Sequence, residues 1–295
     1  MGERDTLELK LKCDRAAYPE SNRQASDQNS LGQTVVAHQY TTYPLRVSGV
    51  FRLDQADANC AYLYLINTSP GLLAQDHLSM SLSLAADTRM YLTDQAATKV
   101  HAMPKKETQA TTAWNIDVGA GASLEFVPEP VILFADAALE QTTQIKLYPQ
   151  AALFWSDILI PGRLARGEYY DFRHYHSRLE IYSDDGELWF RDTIRLTGKN
   201  NPFKHHDLFA TEPILANIIM VQPQADLAEL SQKIANLAFD DCKGILVASS
   251  TLPENKGLLI RVMAAKTSLI KKYITYVLNY VRHLSDRPDL PYIPK

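Results

Sequence analysis

The chain has 295 residues, with 34 acidic against 30 basic side chains and a net charge of −4, so it lacks the basic excess of a general nucleic-acid binder. A chain this long buries roughly three quarters of its unfolded surface and needs no covalent staples. Its three cysteines, Cys13, Cys60 and Cys242, are far apart without a CxxC pair, which excludes a zinc ribbon or thioredoxin-type site and suits a reducing cytosol.

Leu7, Leu9 and Leu11 alternate with Glu8, Lys10 and Lys12, predicting an amphipathic first strand. Residues 18–33 are hydrophilic and read as a surface loop or insertion. Strands are predicted at Thr34–Ala37, Pro44–Val47 and Ala61–Ile66, the last closed by the turn residues 67–71.

A strand–turn–strand grammar then repeats, beginning at Ser81, Asn115, Gln144 and Arg178. Its clearest copy is residues 115–134, where Ile116 and Val118 alternate with polar residues before Gly119 and Gly121 reverse the chain. Leu124 and Phe126 resume the alternation. Pro128 and Pro130 then interrupt pairing, and Val131–Phe134 forms a further short strand. Repeats at this spacing predict a mainly β fold of layered or solenoid-like hairpin units.

Beyond the punctuation at 198–202, apolar spacing predicts helices over 224–240 and 266–284, flanking β runs at Ile245–Ala248 and Leu258–Val262. The expected organisation is an N-terminal strand and loop (1–33), a β-repeat body (34–200) and a C-terminal α+β part packed on it (201–295). No signal-peptide pattern is present, and no apolar run approaches the ~20 residues that cross a bilayer. The chain is thus expected in the cytoplasm, without membrane or nucleic-acid partners.

His174 and His176 lie two apart on a predicted strand, so both imidazoles share one face and form a half-site for nickel, copper or zinc, or simply decorate a solvated surface. His205–His206 in a loop and His101 between lysines are weaker candidates. Glu125, Glu129, Asp157 and Glu168 fall near strand ends, and a pair such as Glu125 and Glu168 would suit a carbohydrate-active or metal-dependent hydrolase. No HExxH, GxSxG or P-loop pattern accompanies them. Residue patterns alone reach a β-rich protein without a legible active site.

The order of short motifs reaches further. Thr34–Val47, Ser69–Leu78, Thr93–Val100, Leu124–Phe134 and Pro161–Glu168, taken together, resemble the urease accessory protein UreD family, also called UreH. The chain departs from the family pattern at Pro70, Gln75, Ala96 and Glu129.

The resemblance implies a non-enzymatic, β-dominated urease maturation factor, a chaperone-like scaffold and metallochaperone. Its implied partners are UreF, the GTPase UreG reached through UreF, and apo-urease. Nickel would be its transient cargo, carried through the interior, with no permanent cofactor. Asp76 and Glu168 are then candidates for a polar nickel path, with turn capping the alternative for each, and His174 and His176 join them as metal candidates. Thr98, Lys99, Pro128, Phe134, Gly162, Arg163 and Gly167 become structural or partner-facing motif positions. Arg163 is expected to pair with a carboxylate. Tyr273, Tyr276 and Tyr280 form a helical stripe that either packs internally or meets a partner.

Overall fold

The computed structural model describes residues 6–14, 32–54, 57–198, 204, 206–223, 225–235 and 244–294. The hydrophilic stretch up to 31, the punctuation at 199–202, His205, Leu237, Ala238 and Cys242 lie outside the described residues.

The strands are β1 (Leu7–Asp14), β2 (Gln33–Thr41), β3 (Leu45–Val47), β4 (Cys60–Asn67), β5 (His77–Leu84), β6 (Arg89–Gln95), β7 (Thr98–Val100), β8 (Ala110–Val118) and β9 (Ser123–Phe126). They continue through β10 (Val131–Leu133), β11 (Ala138–Leu147), β12 (Ala152–Ile160), β13 (His174–Ser183) and β14 (Leu188–Thr197). The C-terminal part runs α1 (Asp207–Thr211), β15 (Ile214–Val221), α2 (Leu227–Ala235), β16 (Ile245–Thr251), β17 (Leu258–Ala264) and α3 (Thr267–His283). Mainly β, as the alternation requires.

Two sheets face each other. The first has the order β14-β13-β11-β8-β5-β1-β2 and the second β16-β17-β15-β12-β9-β6-β4-β3, with β10 pairing both β12 and β7. The repeat spacing sets the register: Ser81 lies opposite Asn115 and Asn115 opposite Gln144 in the first sheet. In the second, Met90 lies opposite Leu124 and Leu124 opposite Leu153. The fourth unit is displaced by two residues, since Gln144 meets Glu180 rather than Arg178.

The first three units are not paired hairpins. β5, β8 and β11 belong to one sheet while β6, β9 and β12 belong to the other, and like strands of successive units pair in parallel. Each turn therefore arches across the sandwich. The turns stack on one another: Asp87 N–H donates to Ala120 O at 3.0 Å and Gly121 N–H to Pro149 O at 3.0 Å. A Cβ on Gly119 would come within 2.6 Å of Leu84 O, which is why the stack needs glycine there. Of the four units only the last, β13 and β14, forms an antiparallel hairpin.

Parallel stacking puts like residues in rows. Leu82, Ile116, Ile145 and Ile181 are successive partners across the first sheet. Leu63, Leu92, Phe126 and Trp155 do the same in the second. These rows face each other as the main core, and each fully buried large apolar side chain stabilises by about 1.5–3 kcal/mol relative to exposure.

The C-terminal strands continue the second sheet, because β15 pairs antiparallel with β12 and β17 with β15. Helices α2 and α3 cover that sheet's other face through Leu230, Ile234, Ile270, Ile274, Val277 and Val281. The order of layers is sheet, sheet, helices. No helix among the described residues is long and apolar enough to cross a membrane.

Candidate functional site

Four of the five motif segments, those after Thr34–Val47, contribute to one end of the sandwich. β7 and β10 pair in parallel, Thr98 opposite Val131 and Lys99 opposite Ile132. Leu72 N–H donates to Lys99 O at 2.8 Å, which ties the 69–78 segment to the same place. The 161–168 loop closes over this pair. Gly162 sits at φ +152°, and a Cβ there would meet Glu168 O at 2.4 Å, so the loop can fold this tightly only with glycine. Gly167, left-handed at φ 76°, ends the short 3-10 turn Leu164–Arg166.

Arg163 holds Glu168 with two hydrogen bonds, Nε to Oε2 at 2.8 Å and Nη2 to Oε1. Its guanidinium also lies over the Phe134 ring, 4.5 Å from the centroid. The hydrogen bonds from Arg163 hold the Glu168 carboxyl below the usual carboxylate range. Glu168 is thus engaged in loop positioning. Asp76 caps its turn, Oδ2 accepting from Leu73 N–H at 2.8 Å.

Period-two alternation makes the β7–β10 pair a wall. Thr98 and Val131 line a cavity of about 120 Å³ between the sheets, while Lys99 and Ile132 face an outer groove. Pro128 also lines the cavity, and so do three carboxylates, Asp94, Glu129 and Asp157. Glu129 accepts a hydrogen bond from Lys271 Nζ on α3. Asp157 projects into the cavity from β12, on the same strand face as Leu153, Trp155 and Leu159 of the main core. Its Oδ1 accepts from Asn217 Nδ2 at 3.0 Å, Asn217 Oδ1 accepts from Arg261 Nη1 at 3.1 Å, and Arg261 Nη2 reaches Asp192 on the opposite sheet at 2.7 Å. Among the described residues, no group of three or more His, Cys, Asp or Glu stands close enough to hold a metal ion.

Burial raises the Asp157 pKa from 3.8 to about 6, partly offset by the bond from Asn217. A folded-state pKa above the unfolded one contributes stability that is complete below pH 3.8 and lost as pH rises through about 6. Asp157→Asn should therefore flatten the pH dependence of unfolding. Relative to wild type it should gain about 1–2 kcal/mol in urea titrations at pH 7.5 and almost nothing at pH 3.5, a figure discounted for water reaching the cavity. Equal gains at both pH values would contradict the assignment.

The remaining sequence candidates take other roles. His174 and His176 share the outer face of β13, but Arg195 Nε donates to His176 Nε2 at 3.3 Å and His174 Nε2 lies 3.2 Å from Gln109 Oε1. Those ring nitrogens are engaged, and the arginine disfavours a nearby cation. The tyrosine stripe is unevenly buried: Tyr273 is 1% exposed with its hydroxyl donating to Ile234 O, whereas Tyr276 is 37% exposed and Tyr280 is half-buried. At about 100° per residue the three lie within about 60° of one another, and the margin of the packed face runs between them.

Glu125 is buried beneath the helices. Arg282 Nε lies 3.0 Å from Glu125 Oε1 and its Nη2 2.6 Å from Oε2, while Arg287 Nη1 donates to Oε1 at 2.6 Å. Glu125 and Glu168 are each neutralised by arginine, so neither is poised as the general acid of a hydrolase. Asn217, Arg261, Arg282 and Arg287 escaped the sequence reading. A lone arginine within the apolar stripe of α3 was the available sign of Arg282.

The family model for the UreD urease accessory protein matches residues 23–295. The urease accessory protein UreD of Trichodesmium erythraeum (strain IMS101) is 60% identical over 291 residues, covering 99% of both chains. The chain belongs to the UreD family. More distant UreD proteins, from Haloarcula marismortui and Actinobacillus pleuropneumoniae serotype 7, are 28% and 29% identical and cover 86% and 82% of this chain. UreD proteins are accessory factors rather than enzymes, and the family gives the chain a role in urease maturation. Arginine-locked Glu125 and Glu168 agree with that role.

Proposed function

We propose that this UreD-family chain is a cytoplasmic scaffold that binds UreF, UreG through UreF, and apo-urease, and passes nickel to the urease active site through its interior. The carboxylate-lined cavity walled by the motif pair β7–β10 is the observation that supports this reading most. Nickel is the cargo. Single carboxylates with exchanging water hold a divalent ion weakly, whereas a closed set of imidazoles and thiolates would retain it. Asp157 must lose its proton before it can meet a cation, so loading is expected to weaken as pH falls through about 6.

A test is to delete this gene in cells that carry the cognate urease operon, return it on a plasmid, and assay urease in the lysate. Activity that returns only with the chain supports the role in maturation. Equal activity with and without the chain counts against it.

A further inference from the structure

The outer side of the β7–β10 wall is a groove of about 770 Å³ whose floor is Ile132, Phe134, Ile160 and Leu164. Four cations stand around it: Lys99, Arg163, Arg166 and Lys266. Among the described residues no acidic one lines it, and Glu168 beside it is already taken by Arg163. Lys99, Arg166 and Lys266 are exposed, whereas the floor residues are half-buried. The first turn of α3, which begins beside Lys266 and carries no acidic residue, adds partial charge of the same sign.

We propose that this groove is the docking site for an acidic amphipathic segment of a partner protein. Apolar side chains one helical turn apart would seat on the Ile132–Phe134–Ile160–Leu164 floor, and flanking Asp or Glu would meet Lys99, Arg166 and Lys266. Charge complementarity selects this occupant: a basic segment would face unscreened cations, and a second copy of this chain would bring the same basic rim against itself. The placement ties docking to the interior, because one short pair of strands separates groove and cavity. The inference rests on the scaffold reading for the existence of the partner, and the groove supplies the surface.

The test uses the full chain and the purified cognate UreF, UreF–UreG complex and apo-urease. The groove variant is Lys99→Glu/Arg166→Glu/Lys266→Glu, and the control is Lys10→Glu/Lys12→Glu/Lys105→Glu, with the same charge change at exposed positions away from the groove. Urea midpoints confirm that both remain folded. The expected result is at least about tenfold weaker binding of one partner by the groove variant, with a reduced salt dependence, and less than about twofold change in the control. Tight partner binding by wild type that the groove variant retains overturns the docking site and leaves the scaffold reading intact. Wild type that binds none of the three overturns the scaffold reading and the docking site with it. Self-association that the groove variant abolishes would assign the groove to a second copy and overturn the proposal.

Discussion

Glu125→Ala is expected to cost about 3–5 kcal/mol of stability, because it removes the carboxylate that two buried arginines share. Arg282 and Arg287 both bind Glu125, and Arg287 also donates to Asp57 Oδ2 at 2.8 Å. Arg282 Nη2 reaches Tyr62 OH at 3.1 Å, and Arg89 meets Asp57 at 3.2 Å. The network fastens the end of α3 and the following tail to β4 and β9 of the second sheet. Removing the anion takes the close carboxylate from Arg282 and one of two from Arg287, in a site that is almost closed to water. Glu125→Ala/Arg282→Ala should cost clearly less than the sum of the single changes, as partners in one network do. Urea titration of the four proteins measures this. Additive losses, or a single loss below about 1 kcal/mol, would show that the network is not a unit.

Arg163→Ala and Glu168→Ala are expected to lower urease activation by the same factor, about tenfold, and the double variant by no more than either alone. The reason is geometric. The bidentate pair closes the 161–168 loop over Phe134, so losing either side chain releases the same loop. A nickel ligand at Glu168 would behave differently: Glu168→Ala would be severe, and Arg163→Ala, which frees the carboxylate, mild. Urease activity in the complemented deletion strain, at matched soluble abundance of each variant, separates the two patterns. Arg163 already holds the Glu168 carboxyl below the usual range, so the effect should not vary between pH 6 and pH 8.

Much of the strand register was readable because alternation and spacing survive in the sequence. Ser81, Asn115 and Gln144 are neighbours in the sheet as their positions predict. The direction of each turn was not readable. A Gly-Ala-Gly reversal serves a hairpin or an arch equally well, and only pairing with residues about thirty positions away decides between them. β15 is not legible in the sequence, because Ile214–Val221 is buried on both faces and shows no alternation. For the same reason the sequence shows an α+β part packed on the body without showing that its strands extend the second sheet.

At the site, the motif residues Thr98, Lys99, Phe134, Gly162, Arg163 and Glu168 were identified through the family resemblance, and the fold brings them together. The cavity carboxylates were harder to find. Glu129 and Asp157 stand among the candidate acids near strand ends, whereas Asp94 looks like an ordinary surface acid, and Asp157 gains its character from a strand that turns it inward and from Asn217, sixty residues away. The histidine pair stood out by spacing, but spacing carries no information about Gln109 or Arg195, which engage those rings.

In the proposed conduit, nickel crosses this chain through the cavity between the sheets. Ser177 lines that cavity from β13, and Ser177→Phe would fill it without touching the outer groove. The decisive measurement is nickel per urease active site, by metal analysis of urease purified from the complemented deletion strain. An interior route predicts that Ser177→Phe, folded and still bound to its partners, leaves urease nearly free of nickel. Normal nickel content with the cavity filled would contradict it.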